Sequence, residues 1–325
     1  MKEKHLKLPE MGVGTMMWAD MPGAIATDEQ AFETYQACLN HNLTLFDTAE
    51  MYGNGASEER LGRCIRKYGG HVMIADKFAP PSEIIPSSPR RKKYDPKSPE
   101  ALREALDASL LRLGVDTIDL YQMHAPPKYN TIAAYMDVMA DVYRKGKIQA
   151  IGVCNFSGKQ IREAQEALQK HGLSLTSVMV QYSLLHLSPE TDGIMQICRH
   201  EEIQLIPFAP LAEGILTGKY RNGRRVPIGY AATIYFSHLG ITDKANREKS
   251  LFRRIFSRPV ELDQKRLEKL FRIMDLMAAK YDRSLAQVAL NWLLSCDVSR
   301  PMLCRFPALR QLHRRKAMPA LWAGR

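Results

Sequence analysis

Seven short apolar runs, each followed by a stretch with helical periodicity, restrict what this chain can fold into. The runs are MGVGTMMW (11–18), LTLFD (43–47), HVMIADK (71–77), TIDLYQMH (117–124), IQAIGVCN (148–155), SVMVQYS (177–183) and IQLIPF (203–208). Strands that are apolar almost throughout suit a parallel sheet covered on both faces. The segments between them carry helix starts. Thr27-Asp28-Glu29-Gln30 is a capping box. Ser98-Pro99-Glu100 and Ser188-Pro189-Glu190 place Ser at a cap, Pro at the first helical position and an acid beside it. Ser157 caps GKQIREAQEALQKHG, which ends at Gly172. Leu102, Leu106, Leu110 and Leu113 mark one buried helical face. An eighth strand fits after SLAQVALNWLL (284–294). The pattern predicts an α/β fold, a closed (β/α)8 TIM barrel. A doubly wound dinucleotide-binding sheet would need G-x-G-x-x-G running from strand into helix. The chain offers only GVG at 12–14, with no third glycine and no helix behind it.

Composition narrows the function classes. At 325 residues, 45% hydrophobic and 25% charged, the chain matches ordinary globular proteins. No apolar run reaches the roughly 20 residues of a membrane helix, and MKEKHLKLPEMG lacks an apolar core for a secretory signal. The expectation is a cytoplasmic protein with no membrane partner. The six cysteines form no C-x-x-C pair and the nine histidines no metal-ligand spacing, so no metal is expected. The net charge of +11 invites a nucleic-acid reading, but seven basic residues fall within 298–325 and RRKK sits at 90–93. Neither cluster interleaves aromatic side chains as a base-stacking surface would, so no nucleic-acid partner is expected.

A barrel carries its active site at the carboxyl ends of its strands. Here those ends are Asp47, Lys77, His124, Asn155 and Gln181. Singly, each has a structural explanation: a lysine reaching to water, a hydrogen-bonded histidine. Five on one rim point to chemistry.

LFDTAEMYGNGASEERLG, IADKF, YQMH, GKIQAIGVCNFS, VQYSLL and IPFAPLAEGILTGKY together resemble the aldo-keto reductase superfamily, over roughly residues 8–297. The similarity is to bacterial and plastid-type members with a long loop after the seventh strand. It implies a (β/α)8 barrel that binds NADPH without a Rossmann domain, consistent with the missing fingerprint. It implies a catalytic tetrad of Asp47, Tyr52, Lys77 and His124, and a small-molecule carbonyl substrate flanked by Trp18, Tyr52 and His124. Tyr52 would protonate the nascent alkoxide. An unperturbed phenol has a pKa of about 10, which a neighbouring ammonium lowers. Lys77 supplies that ammonium, Asp47 holds it, and His124 orients the carbonyl. The same resemblance implies cofactor contacts at Gly14, Thr15, Asp47, Asn155, Gln181, Phe208, Leu211, Gly214 and Lys219. Phe208 stands where relatives usually stack a tyrosine, Cys154 where many have Ser, and Asp76 where many have Thr. Adjacent to Lys77 in a strand, Asp76 should face the opposite side.

The end of the chain departs from the family. In place of V-P-I-P-G and an E-N pair it reads SCDVSRPMLCRFPALRQLHRRKAMPALWAGR, with Pro301 interrupting the eighth strand. The expected division is a barrel over 1–297 and an atypical basic tail over 298–325, the composition of either a divergent end or a shifted reading frame. The departure touches the region that sets NADPH against NADH. Two loops, 79–99 and 221–258, are expected to shape the substrate side. Two other functions compete: a Schiff-base enzyme using Lys77, and a non-catalytic member of the family. The carbonyl substrate and the oligomeric state are not encoded in any motif.

Overall fold

The computed structural model describes residues 6–19, 27–82, 97–221, 264–296 and the backbone of 302–305. The strands are β1 (Met11–Gly14), β2 (Leu45–Asp47), β3 (Met73–Phe78), β4 (Leu120–Met123), β5 (Ile151–Cys154), β6 (Ser177–Gln181), β7 (Gln204–Phe208) and β8 (Met302–Arg305). Between them run α1 (Asp28–Asn40), α2 (Ala56–Tyr68), α3 (Ala101–Leu113), α4 (Ile132–Arg144), α5 (Gly158–Gln169), α6 (Ser188–Thr191) and α7 (Ile194–His200), and after β7 come α8 (Gln264–Tyr281) and α9 (Leu285–Leu294). One parallel sheet holds all eight strands in the order β7-β6-β5-β4-β3-β2-β1-β8. Its two edges, β7 and β8, approach each other and close the barrel. The eighth strand begins just beyond Pro301 and pairs with β1 in the register Met11↔Met302 to Gly14↔Arg305. A proline ahead of the ladder removes none of its donors, which reconciles the basic tail with barrel closure.

Strand alternation divides the core in two. Leu45, Ala75, Leu120, Ala150, Cys154, Met179 and Ile206 pack together inside the barrel. Phe46, Ile74, Tyr121, Ile151, Val153, Val178 and Leu205 face the helical wall. Leu8 is packed with the inner set, its N–H donating to Gln204 Oε1.

The strands are shorter than their apolar runs. The first ends at Gly14, and residues 16–18 form a 3-10 turn rather than continued strand. Thr27 makes the expected capping box with Gln30, and Ser157, expected as a cap, makes a full capping box with Gln160. Ser98 acts two residues before the cap of its helix: its Oγ accepts from Glu100 N at 3.3 Å, and α3 starts only at Ala101. At Ser188 the helix is a single turn capped at Leu187, and the hydroxyl pairs with His186 Nε2. RRKK (90–93), most of both expected substrate-side loops and the tail beyond 305 lie outside the described residues. Among the described residues no helix is long and apolar enough to cross a membrane, and no group of three metal-ligating side chains occurs.

Candidate active site

The carboxyl ends of the strands bring Asp47, Lys77 and His124 to one mouth of the barrel, and the turn after β2 adds Tyr52. Lys77 lies one residue before the end of β3 with its side chain directed inward and fully buried. Its ammonium donates to Asp47 Oδ1 at 2.5 Å and to Thr48 O at 2.8 Å. It sits 5.2 Å from the centroid of the Tyr52 ring. Tyr52 is itself 6% exposed, and its ring meets His124 edge-on, with centroids 5.6 Å apart at 84°. These four side chains therefore form one contiguous group.

Burial alone pulls the Lys77 pKa down. The Asp47 carboxylate is the chief opposing influence, and together with Tyr52 and Cys154 it more than reverses this, so the ammonium is held above the usual lysine range. A permanent cation beside a phenol is the arrangement that favours phenolate.

Asn155 follows β5 in the left-handed region, at φ 63. Its Nδ2 donates to His124 O at 3.0 Å and to Cys154 Sγ at 3.2 Å, tying the fourth and fifth strand ends together. At the end of β6, Gln181 Nε2 is buried with no hydrogen-bond partner among the described residues. Phe208 ends β7. Beyond it, residues 212–217 form a 3-10 turn starting from Leu211, kinked at Glu213 and Gly214. Gly214 adopts φ 88, and a Cβ there would lie 2.6 Å from Lys219 Nζ. The lysine thus folds over the glycine, joining two expected contacts in one loop. Gly14 ends β1, pairing with Asp47 of β2. The Thr15 N–H and hydroxyl both donate to Asp47 O, at 2.8 and 3.0 Å. The structure does not bring Trp18 into the four-residue group: its ring packs in the wall core 6.1 Å from Phe46.

Several buried polar groups escaped sequence reasoning because their partners are far away in the chain. Arg60 donates to Trp18 O and to Asp28 Oδ1, and Arg63 also grips Asp28. Hydrogen bonding to Arg63, with Arg60, holds the Asp28 carboxyl below its ordinary range. Behind β3, Glu58 is fully buried and Arg112 forks onto it at 2.8 and 3.1 Å. Asp76 lies in the same wall. Its Oδ2 has no hydrogen-bond partner among the described residues, and burial, reinforced by Glu58 and Glu50, raises its pKa well above the usual carboxyl value.

The family model described as the aldo/keto reductase family matches residues 10–314. Pyridoxal reductase, chloroplastic, of Arabidopsis thaliana is 29% identical over 88% of this chain and 73% of its own. The aldo-keto reductase yakc [NADP(+)] of Schizosaccharomyces pombe is 33% identical over 68% of this chain and 64% of its own. Among solved structures, the glycerol dehydrogenase of Gluconobacter oxydans superposes with a TM-score of 0.73 at 22% identity, over 99% of this chain and 90% of that one, which shows the shared barrel fold.

Proposed function

The chain belongs to the aldo/keto reductase family, and we propose that it reduces an aldehyde or ketone to an alcohol, with NADPH as hydride donor and Tyr52 as general acid. The observation that carries this reading is the buried Lys77 ammonium, fixed by Asp47 at 2.5 Å and lying 5.2 Å from the Tyr52 ring.

The residues fit a nicotinamide dinucleotide. Gln181 Nε2 is a buried donor awaiting an acceptor, as a ring carboxamide would provide. Asn155 beside it, the face of Phe208, and the Leu211–Gly214–Lys219 loop complete the surface that would hold the cofactor. Lys219 would meet a phosphate there, and Gly14 would line the near wall. The S. pombe relative's name carries NADP(+), which supports the phosphorylated form. When bound, NADPH supplies the hydride.

The chain's own residues handle the proton. Two Lys77 ammonium hydrogens go to Asp47 Oδ1 and Thr48 O, which leaves the third for the Tyr52 oxygen. That oxygen gives its proton to the carbonyl oxygen as the alcohol forms, and the ammonium stabilises the phenolate left behind. His124, edge-on to the Tyr52 ring, orients the carbonyl oxygen toward the phenol. Positioned proton transfer of this kind contributes roughly 10²–10⁴ in rate. Schiff-base chemistry at Lys77 would need the neutral amine, and Asp47 drives the equilibrium the other way.

The barrel and the basic end remain distinct in this reading, with residues 1–297 supplying the chemistry and 298–325 supplying β8 and the tail. The cysteines at 38, 64, 154, 198 and 296 form no disulfide among the described residues, which suits a reducing, cytoplasmic setting.

The test is Tyr52→Phe, assayed with NADPH and 4-nitrobenzaldehyde. We expect kcat to fall by at least about 10²-fold, with NADPH affinity within twofold by cofactor fluorescence. Turnover equal to the parent would refute the assignment.

A further inference from the structure

Three hydroxyls meet behind the tetrad, and all three are fully buried: Thr15, Thr48 and Ser57. Ser57 lies in the first turn of α2, and its own N–H donates to Tyr52 O at 3.2 Å. Its Oγ donates to Thr15 O at 2.9 Å, lies 2.7 Å from Thr15 Oγ1, and accepts from Thr48 Oγ1 at 3.0 Å. A hydroxyl has one hydrogen to give. Thr15 gives its own to Asp47 O, and Thr48 gives its own to Ser57. The single Ser57 hydrogen is then shared between two acceptors on Thr15, its carbonyl oxygen and its Oγ1, so the bonds run in one direction, from Thr48 to Ser57, from Ser57 to Thr15 and from Thr15 to Asp47 O.

The two ends of that chain are consecutive residues. The peptide joining them is clamped from both sides: Asp47 O accepts the Thr15 N–H and hydroxyl, and Thr48 N donates to Ala75 O at 2.9 Å. The same two residues carry both acceptors of the Lys77 ammonium, Asp47 Oδ1 and Thr48 O. Ser57 also ties the backbone of Tyr52. A single serine thus links the mount of the cation to the mount of the phenol.

We propose that the Ser57 hydroxyl is a positioning group for carbonyl reduction, setting the distance between the Lys77 ammonium and the Tyr52 oxygen without touching substrate or cofactor. The proposal rests on the reading of Tyr52 as general acid and Lys77 as its tuning cation. Its physical basis is that a catalytic pair is only as well placed as the groups that lock its supports. Removing the hydroxyl leaves Thr48 Oγ1 without an acceptor in a dry site. The Thr48 side chain is then free to turn, and the residue whose carbonyl holds Lys77 keeps its backbone clamp but loses its side-chain one.

The experiment compares the parent, Ser57→Ala, Thr48→Val and Tyr52→Phe with NADPH and 4-nitrobenzaldehyde across pH. For Ser57→Ala we expect kcat to fall about 10-fold, with KM and NADPH affinity within twofold. The alkaline limb of the kcat profile should move up by about one pH unit, because a more distant ammonium acidifies the phenol less. Thr48→Val conserves volume and removes one donor of the same chain, so it should move kcat and the limb in the same direction by about half as much; it serves if Ser57→Ala does not fold. A Ser57→Ala enzyme with parental kcat and limb, alongside an inactive Tyr52→Phe, overturns this inference alone. A fall in kcat matched by a lower melting temperature with the limb unmoved also overturns it, since that is the signature of general loosening. A fully active Tyr52→Phe overturns the underlying reading instead.

Discussion

Asp76 and Lys77 are neighbours in β3 and serve opposite sides of the barrel wall, the lysine inward against Asp47 and the aspartate outward among Glu58, Glu50 and Tyr121. Strand alternation separates them. It lets one strand carry a paired inward cation and an outward carboxyl whose Oδ2 has no hydrogen-bond partner.

The outward carboxyl weakens the fold as pH rises. Burial raises its folded pKa well above 3.8, with Glu58 adding to the effect. The folded state therefore binds more protons than the unfolded chain between those two values, and stability falls with rising pH through that window. Asp76→Asn keeps the acceptor for the Lys77 N–H, now 2.8 Å from Asp76 Oδ1, and removes the charge. It should raise the melting temperature near pH 7 by about 2 °C, for a gain on the order of 1 kcal/mol. The gain should shrink toward pH 3, below 3.8, where the parental carboxyl is mostly protonated in both states. Thermal melts at the two pH values check this; an equal effect at both contradicts it.

The Asp47–Lys77 pair carries the same sign in a more alkaline window. The folded ammonium has a raised pKa, so its contribution is fully present below 10.5 and is lost as pH rises through the folded value. Asp47→Asn strips the carboxylate from a lysine that is 1% exposed at the side chain. Breaking such a pair costs about 3–5 kcal/mol, because the remaining charge stays buried without its partner. Adding Lys77→Met should restore most of the loss. Urea titrations of the two singles and the double test the coupling, and additive losses would show that the pair does not interact.

How far these arrangements were legible in the sequence depends on distance along the chain. Thr27 and Ser157 could be read as caps because their partners lie three residues away. Asp47, Lys77 and His124 could be read because strand ends converge on one rim in any barrel. The inward and outward facing of Asp76 and Lys77 followed from strand geometry alone. Met16–Trp18 was misread as strand because its apolar run continues past the point where β1 leaves the sheet. Ser57 escaped because its hydroxyl partners lie 9 and 42 residues away. Glu58 escaped because it reads as an exposed helical acid until Arg112 arrives from α3.

Gly62 is where α2 touches α3 without a side chain between them. A Cβ there would lie 2.6 Å from both Arg112 O and Leu113 O, which are backbone atoms with little room to retreat. Alanine favours a helix over glycine by about 1 kcal/mol, so an exposed site would gain from the change. Here overpacking should dominate, with a net loss of about 1–2 kcal/mol. Gly62→Ala is expected to lower the denaturation midpoint while leaving KM for aldehyde unchanged. An increase in stability would mean that α2 and α3 separate more easily than their contact implies.

Gln181 should show a trade between stability and binding. Its Nε2 is a buried donor without a partner, a condition that costs about 1–3 kcal/mol in the free protein. Gln181→Leu removes that donor with little change in volume. The free protein should therefore melt about 2 °C higher, and NADPH should bind about 10-fold more weakly, since the carboxamide acceptor would then meet a methyl group. The two measurements are independent: melting without cofactor, and fluorescence titration with it. If the variant melts lower and binds NADPH normally, Gln181 is a structural residue, and the nicotinamide must be held by other groups at this rim.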